Sequence, residues 1–293
     1  MPRLFFLALV LTLLGTHLQA GVLTNGSLTV SLRSNGAIDS AVFGGQNFFK
    51  PGTGTNVSDF GLQNGMDAST FLLNDSNGGS GLSLSESGSS YHGSHTWGSN
   101  TNLDYLRTYS LVAGLNALRI TTTITNIGSA CFTVSHFDTF DPDQAYALIP
   151  GGGIAPFETS NDVFLLAGGR VGQASINANG SQLTVLVGSL DSRAVIASGD
   201  PLQIGSGTDL NDFFLAPADA DGKLDDEGTH IGFRQLLKPT QSTTFTYIMT
   251  FGANPNDAQQ AFTLASVPEP GSLAVFGAIG ICGLFLRRRA IHA

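Results

Sequence analysis

Apolar and polar residues alternate in short runs along most of this chain. In SLTVSLRS, Leu28, Val30 and Leu32 share one side and Ser27, Thr29 and Ser31 the other. That two-residue period is the signature of a strand with one buried face. Asn25-Gly26 and Asn35-Gly36 bracket the run, and such pairs favour hairpin turns. AIDSAVFGGQNFF follows as a second strand region. The clearest stretch is Tyr105 to Gly128. Tyr105, Arg107, Tyr109 and Leu111 alternate with Leu106, Thr108 and Ser110, a GLNA turn follows, and LRITTTITN sets Leu118, Ile120, Thr122 and Ile124 on one face. Ala130 to Phe140, Ser181 to Leu190 and Ser242 to Gly252 read as further strands. Only Asn256 to Ala265 carries a helical pattern, with Asn256 or Asp257 as its cap.

These elements predict an all-β body, a single large antiparallel β-sandwich over residues 21–266. No Pro-rich linker divides it and no fixed-period repeat runs through it. Residues 74–100 are rich in Gly and Ser and read as a long loop.

The two ends follow a different pattern. MPRLFFLALVLTLLGTHLQA has a basic start at Arg3, an apolar run from Leu4 to Leu14 and a small, polar close at Ala20. That is the three-part plan of a cleaved secretory signal peptide over residues 1–20. At the other end, Leu273 to Leu286 is uncharged and short for a membrane span, which needs about 20 residues. Gly271, Ser272 and snorkelling arginine stems extend it enough for a short transmembrane helix. Arg287, Arg288 and Arg289 would be held on the cytoplasmic side. Pro268 and Pro270 keep the strip around Glu269 extended just before the span.

The order Pro268-Glu269-Pro270, a short apolar helix and a basic cluster closely resembles the PEP-CTERM sorting signal of bacterial exported proteins. The resemblance covers residues 267–289. It implies an exosortase as partner, with Pro268, Glu269 and Pro270 as the recognition triplet and Arg287 to Arg289 as the membrane stop. It also implies transient anchoring in the membrane, and a destination at the cell envelope, cell surface or extracellular matrix, where extracellular polysaccharide is a further partner. On this reading the body performs no catalysis and needs no cofactor.

Composition adjusts this picture in three ways. Only 12% of residues are charged while 42% are hydrophobic, with 20 Phe, so the chain is not of the disordered class. The net charge is −9, and the body is more acidic still, because Arg3 and Arg287 to Arg289 lie outside it. That argues against nucleic acid as a partner. Of the two cysteines, Cys282 lies in the apolar tail, so Cys131 has no partner for a disulfide within the body; its place in an apparent strand suggests a small buried side chain.

Candidate chemistry is sparse. HFDTFDPDQ gathers His136, Asp138, Asp141 and Asp143, and the three carboxylates are a candidate calcium set, the one cofactor the body suggests. The acidic run Asp219 to Glu227 fails the EF-hand register and reads as a solvated loop. His92 and His95 fall on opposite faces of a strand. Neither G-x-S-x-G nor a phosphate-loop motif occurs. Trp97, with Tyr91 and Tyr105, is a candidate sugar-stacking platform or a core anchor.

A second resemblance is carried by the opening NG-strand-NG-AIDS, the R-T strand at Arg107-Thr108, and ITTTITNIG. These are similar to large β-sandwiches of the galactose-mutarotase type, which bind or process sugars. That resemblance gives the alternative function, a carbohydrate-binding or sugar-active protein.

Overall fold

The computed structural model describes residues 21–49, 58–74, 82–142, 159–176, 182–199, 207–217, 224–225 and 228–267. In chain order the first strands are β1 (Val22–Asn25), β2 (Leu28–Leu32), β3 (Ile38–Phe43), β4 (Gln46–Asn47), β5 (Ser58–Asn64) and β6 (Leu72–Leu73). Next come β7 (Leu84–Ser87), β8 (Ser90–Gly98), β9 (Thr101–Leu111), β10 (Ala117–Asn126) and β11 (Phe132–Phe140). The remainder are β12 (Thr159–Leu166), β13 (Gly169–Ser175), β14 (Thr184–Ser189), β15 (Val195–Gly199), α1 (Gly207–Leu215), β16 (Leu224–Asp225), β17 (Gly228–Leu237), β18 (Ser242–Gly252) and α2 (Pro255–Ala265).

The strands form a nine-stranded sheet ordered β16-β12-β13-β14-β18-β10-β9-β8-β7, a five-stranded sheet ordered β15-β17-β11-β5-β6, and a four-stranded sheet β1-β2-β3-β4. All pairings are antiparallel among the described strands. The body is therefore the all-β antiparallel sandwich that the alternation predicts.

The nine- and five-stranded sheets face each other across one core. Leu118, Ile120, Ile124, Phe245 and Met249 from the larger sheet meet Phe60, Leu62, Val134, Ile231 and Phe233 from the smaller. The Phe233 and Phe245 rings stack across the gap at 4.6 Å. The small sheet joins the same core through Leu28, Val30 and Ile38, and Phe48 meets Phe251 edge-on at 5.2 Å. The alternation is thus satisfied by burial of one residue in two, the dominant favourable term for such a fold.

Three local expectations are corrected. Residues 74–100 are not one loop, since β7 and β8 form a hairpin over 84–98. Gly and Ser dominate there because one face of the hairpin is exposed, and Tyr91 supplies the buried anchor. Cys131 is exposed, because β11 begins only at Phe132. The helix starts earlier than the pattern suggested. Asn254 is its N-cap, accepting a hydrogen bond from the Asp257 N–H at 3.0 Å, and Pro255 occupies the first turn, where its missing N–H costs nothing. The buried residues of α2, Ala258, Ala261, Phe262 and Ala265, cover Val171, Leu186 and Ile248 on the outer face of the large sheet. No helix among the described residues is long and apolar enough to cross a membrane. The predicted signal peptide and tail span lie outside those residues.

Candidate functional site

β11 presents chemistry on both of its faces. On the core side, alternation places His136 and Asp138 between Val134 and Phe140, and β9 likewise places Arg107 between Tyr105 and Tyr109. The two strands belong to opposite sheets, and the Arg107 and Asp138 side chains meet in the gap, each 1% exposed. Nη2 of Arg107 donates to Asp138 Oδ1 at 2.5 Å and Nη1 to Oδ2 at 3.3 Å. The remaining N–H groups reach the Tyr109 hydroxyl at 2.5 Å, Thr122 Oγ1 at 3.1 Å and the Tyr247 hydroxyl at 2.9 Å. All five guanidinium donors are used, and the cation lies 4.3 Å from the centre of the Phe60 ring.

The electrostatics follow from that burial. Burial alone pushes the Arg107 guanidinium down, but Asp138, Tyr109, Tyr247 and Tyr105 together hold it well above its ordinary value. Burial pushes the Tyr109 phenol up to about 12 and the Tyr105 phenol higher still, each against a lowering influence from Arg107. His136 is pushed down to about 4 by burial, with Asp138 opposing and Arg107 reinforcing the shift. It is neutral at pH 7, with Nε2 3.2 Å from the Tyr105 hydroxyl, and its ring stacks near Phe60 and Phe245. This cluster is closed to solvent and ties the two sheets together.

The outer face of the five-stranded sheet is different. Pairing of β5, β11 and β17 aligns three rows across the strands: Gln63–Ser135–Arg234, Gly61–Phe137–Gly232 and Asp59–Thr139–His230. The helix α1 docks on the first two. A Cβ at position 61 would collide with the Phe137 ring and the Leu72 carbonyl, and one at 232 with Phe213 and the His136 carbonyl. The two glycines therefore let Phe137 lie flat and let α1 come down on it. Asn211 Oδ1 accepts from Gln63 Nε2 at 3.2 Å and from Arg234 Nη2 at 3.4 Å. Leu210 and Phe213 pack with Phe137 and Ala197.

The third row lies at the end of that helix footprint. Asp59, Thr139 and His230 are 1%, 5% and 3% exposed, and adjacent Cβ atoms in such a row are about 5 Å apart. Asp59 Oδ1 accepts from the Phe60 N–H at 2.8 Å. His230 Nε2 donates to the Gly199 carbonyl at 3.2 Å, which leaves Nδ1 as the basic nitrogen of the neutral ring. The Phe213 ring stands edge-on to His230 at 6.4 Å. Thr139 Oγ1 is buried with no hydrogen-bond partner among the described residues. A carboxylate, a hydroxyl and an imidazole thus stand side by side on a face away from the core, and the carboxylate and imidazole are side-chain types that act in general acid–base catalysis.

The residues singled out from the sequence are dispersed. Asp138 faces inward and is held by Arg107. Asp141 lies just past the end of β11, and Asp143 lies outside the described residues. Among the described residues no three His, Cys, Asp or Glu side chains gather as a cation cage. His92, on the outer face of β8, pairs with Asp104 at 2.7 Å. His95 and Trp97 point inward, and Trp97 packs edge-on against Phe132, so the indole acts as a core anchor. Pro268, Glu269, Pro270, Arg287, Arg288 and Arg289 lie outside the described residues. The row Asp59–Thr139–His230 was not visible in the sequence, since its members come from three distant strands and only the sheet order aligns them.

No protein-family model matches the chain, and no curated protein does. Solved structures do match. A bacterial glucoamylase complexed with acarbose aligns over 87% of this chain at 11% identity, with a TM-score of 0.53. This chain spans 35% of that one. A galactose mutarotase-like protein from Lactobacillus casei aligns over 79% of this chain and 99% of its own at 9% identity, TM-score 0.44. A galactose mutarotase related enzyme from Lactobacillus acidophilus aligns over 80% and 98% at 9% identity, TM-score 0.41. The expectation of a body without catalysis is corrected by this finding, because the body shares its fold with part of a glucoamylase. Identity at this level speaks for the fold alone.

Proposed function

We propose that the chain is an exported carbohydrate-active protein whose sugar site is the row Asp59–Thr139–His230, delivered to the cell envelope or matrix through exosortase processing of its C-terminal strip. The single observation that carries the sugar reading is that row: two proton-transfer groups flanking a hydroxyl on the non-core face of a sheet, at the end of the α1 footprint.

The chemistry that suits it is opening and reclosure of a cyclic aldose. A base takes the proton of the anomeric hydroxyl while an acid protonates the ring oxygen. The bond from C1 to the ring oxygen breaks, giving the open aldehyde, and reclosure on the other face yields the second anomer with no net change in atoms or electrons. Asp59 and His230 are two strands apart, about 10 Å between backbones, one on each side of Thr139. The Thr139 hydroxyl between them orients the sugar. The fold shared with a glucoamylase structure supports a saccharide as ligand.

The test is anomer exchange followed by NMR or polarimetry across a panel of aldoses, with a glycan array for binding. The chain is expected to accelerate exchange, and Asp59→Asn and His230→Gln each to slow it by about a hundredfold in protein that retains the wild-type circular dichroism spectrum. No acceleration and no saccharide binding would overturn the reading. For the delivery half, intact mass of protein recovered from the native host is expected to show loss of residues 1–20 and of everything after the Pro268–Pro270 region. A mass retaining the tail to Ala293 would point instead to a permanent membrane anchor.

A further inference from the structure

A groove of about 280 Å³ lies on the outer face of the large sheet, where β18 and the end of β14 meet the C-terminus of α2. The row Asp59–Thr139–His230 is on the outer face of the other sheet, so the thickness of the sandwich separates the two. Thr244 and Thr246 point out of β18 into the groove, Asp191 lines it from the end of β14, and Leu190 and Val267 give it an apolar rim, 48% and 57% exposed. Arg119 Nη2 donates to the Ala265 carbonyl at 3.3 Å, which ties the end of α2 to the sheet and fixes that wall.

Asp191 is held rigidly in this groove. Arg193 Nε donates to its Oδ1 at 2.9 Å and Nη2 to its Oδ2 at 2.5 Å, while the Arg193 backbone N–H donates to Oδ1 at 3.0 Å. The other guanidinium N–H groups go to Gln235 Oε1 at 3.1 Å, Thr243 Oγ1 at 2.8 Å and the Thr244 carbonyl at 3.0 Å. All five donors are spent, so Arg193 serves to present Asp191. The Asp191 N–H donates to Ser189 Oγ at 3.1 Å, and that hydroxyl donates to the Thr246 carbonyl at 2.7 Å. Hydrogen bonds from Arg193 hold the Asp191 carboxyl below its usual range, against burial, which acts the other way. Its side chain is 23% exposed, and Oδ2 accepts from Nη2 alone among the described residues. Thr244 Oγ1 pairs with Thr123 Oγ1 at 3.0 Å and Thr246 Oγ1 with Thr121 Oγ1 at 3.1 Å. Each pair has two hydroxyl protons and uses one within itself, which leaves one for a ligand.

We propose that this groove is a second saccharide site, which holds a neutral pyranose unit of a glycan without reacting with it. An ionised carboxylate only accepts hydrogen bonds, so the ligand must donate to Asp191. The spare threonine protons need an acceptor beside that donor, and a sugar hydroxyl is both. Arg193 already balances the charge of Asp191, so a cationic ligand gains little there, and an anionic one is repelled by the carboxylate. The C–H face of a pyranose covers Leu190 and Val267. The volume falls at the small end of ligand sites, which suits one ring of a longer chain whose neighbours lie outside the groove. No imidazole or second carboxylate lines it among the described residues, so it grips its ligand and leaves chemistry to the row. The site goes beyond the reading of that row and shares only its class of ligand.

The test titrates methyl glycosides of glucose, galactose and mannose into the full chain in micelles of a sugar-free detergent. Their anomeric oxygen is blocked, so anomer exchange cannot consume them. Binding is read from NMR shifts of the Asp191, Thr244 and Thr246 amides. At least one glycoside is expected to shift them saturably in the millimolar range. Thr246→Val and Asp191→Asn are each expected to weaken that binding about five- to tenfold and to leave anomer exchange by the row unchanged. Thr246→Val removes only the hydroxyl and keeps a β-branched side chain in the strand, so it decides the matter if Asp191→Asn disturbs the Arg193 contacts. No saturable shift with any of the three glycosides, or equal affinity in Thr246→Val and the native chain, would overturn the site. Asp59→Asn is expected to lose anomer exchange with the groove shifts intact, so failure of the groove leaves the row standing and failure of the row leaves the groove standing.

Discussion

Arg107 shows how a single residue can be readable as an anomaly without its role being readable. In the sequence it stands in phase with Tyr105 and Tyr109, on the side of the strand that alternation assigns to the core. Asp138 stands in phase with Val134 and Phe140 in the same way. Two opposite charges, each at a position due for burial, are the signal of a buried pair. What sequence cannot supply is that β9 and β11 lie in facing sheets. Asp138 therefore reads as a metal ligand in the sequence and as the counter-ion of Arg107 in the structure. A buried pair of this kind is costly to break, because the surviving charge loses both solvent and partner. Asp138→Asn is expected to destabilise the fold by about 3–5 kcal/mol in equilibrium denaturation. Arg107→Met with Asp138→Leu is expected to cost far less than either single change, since no uncompensated charge remains. Equal losses in single and double variants would show that packing of the surrounding tyrosines dominates.

At the scale of elements, strands were the legible part. Period-two alternation located β2, β9, β10, β11, β14 and β18 because each has one face in a single core, so that burial writes directly into the pattern. The Gly/Ser-rich hairpin β7–β8 escaped because its outward face carries Ser, Gly and His, which look like loop residues when no buried partner alternates strongly with them. The start of α2 lies ahead of its helical pattern because Asn254 and Pro255 enter the helix through capping chemistry, which periodicity does not record. The candidate site was not legible at all. Asp59, Thr139 and His230 are each an ordinary polar residue in an ordinary strand, and no local rule relates one to another. Their alignment arises only from the order β5-β11-β17, which no local pattern contains.

For the molecule as a whole, the buried imidazole makes stability depend on pH. Burial holds His136 at about 4 in the folded protein, against about 6.5 in an unfolded chain. Between those values the unfolded chain binds a proton that the folded one does not, so protonation favours unfolding. The full contribution is present above about pH 6.5 and is lost as pH falls toward 4, a change of about 3 kcal/mol. Denaturant midpoints measured from pH 7 to pH 4.5 are expected to fall accordingly, and His136→Gln to flatten that slope even though it lowers stability at pH 7. An unchanged slope in the variant would assign the dependence to surface carboxylates instead.

The strand order of the large sheet has one more consequence. β18 is the last strand among the described residues, yet it lies in the middle of that sheet, paired with β14 on one side and with β10 on the other. Until it arrives, β10 and β14 each present an open edge, and the sheet exists as two halves with nothing to join them. Pairings of such sequence separation are slow to form, because the intervening chain must be ordered first. Residues synthesised early therefore cannot close the sandwich on their own. For a chain proposed to pass through a membrane channel in extended form, that delay is an asset: the fold is keyed shut by a late strand, and the segments ahead of it stay threadable until the closing strand is made.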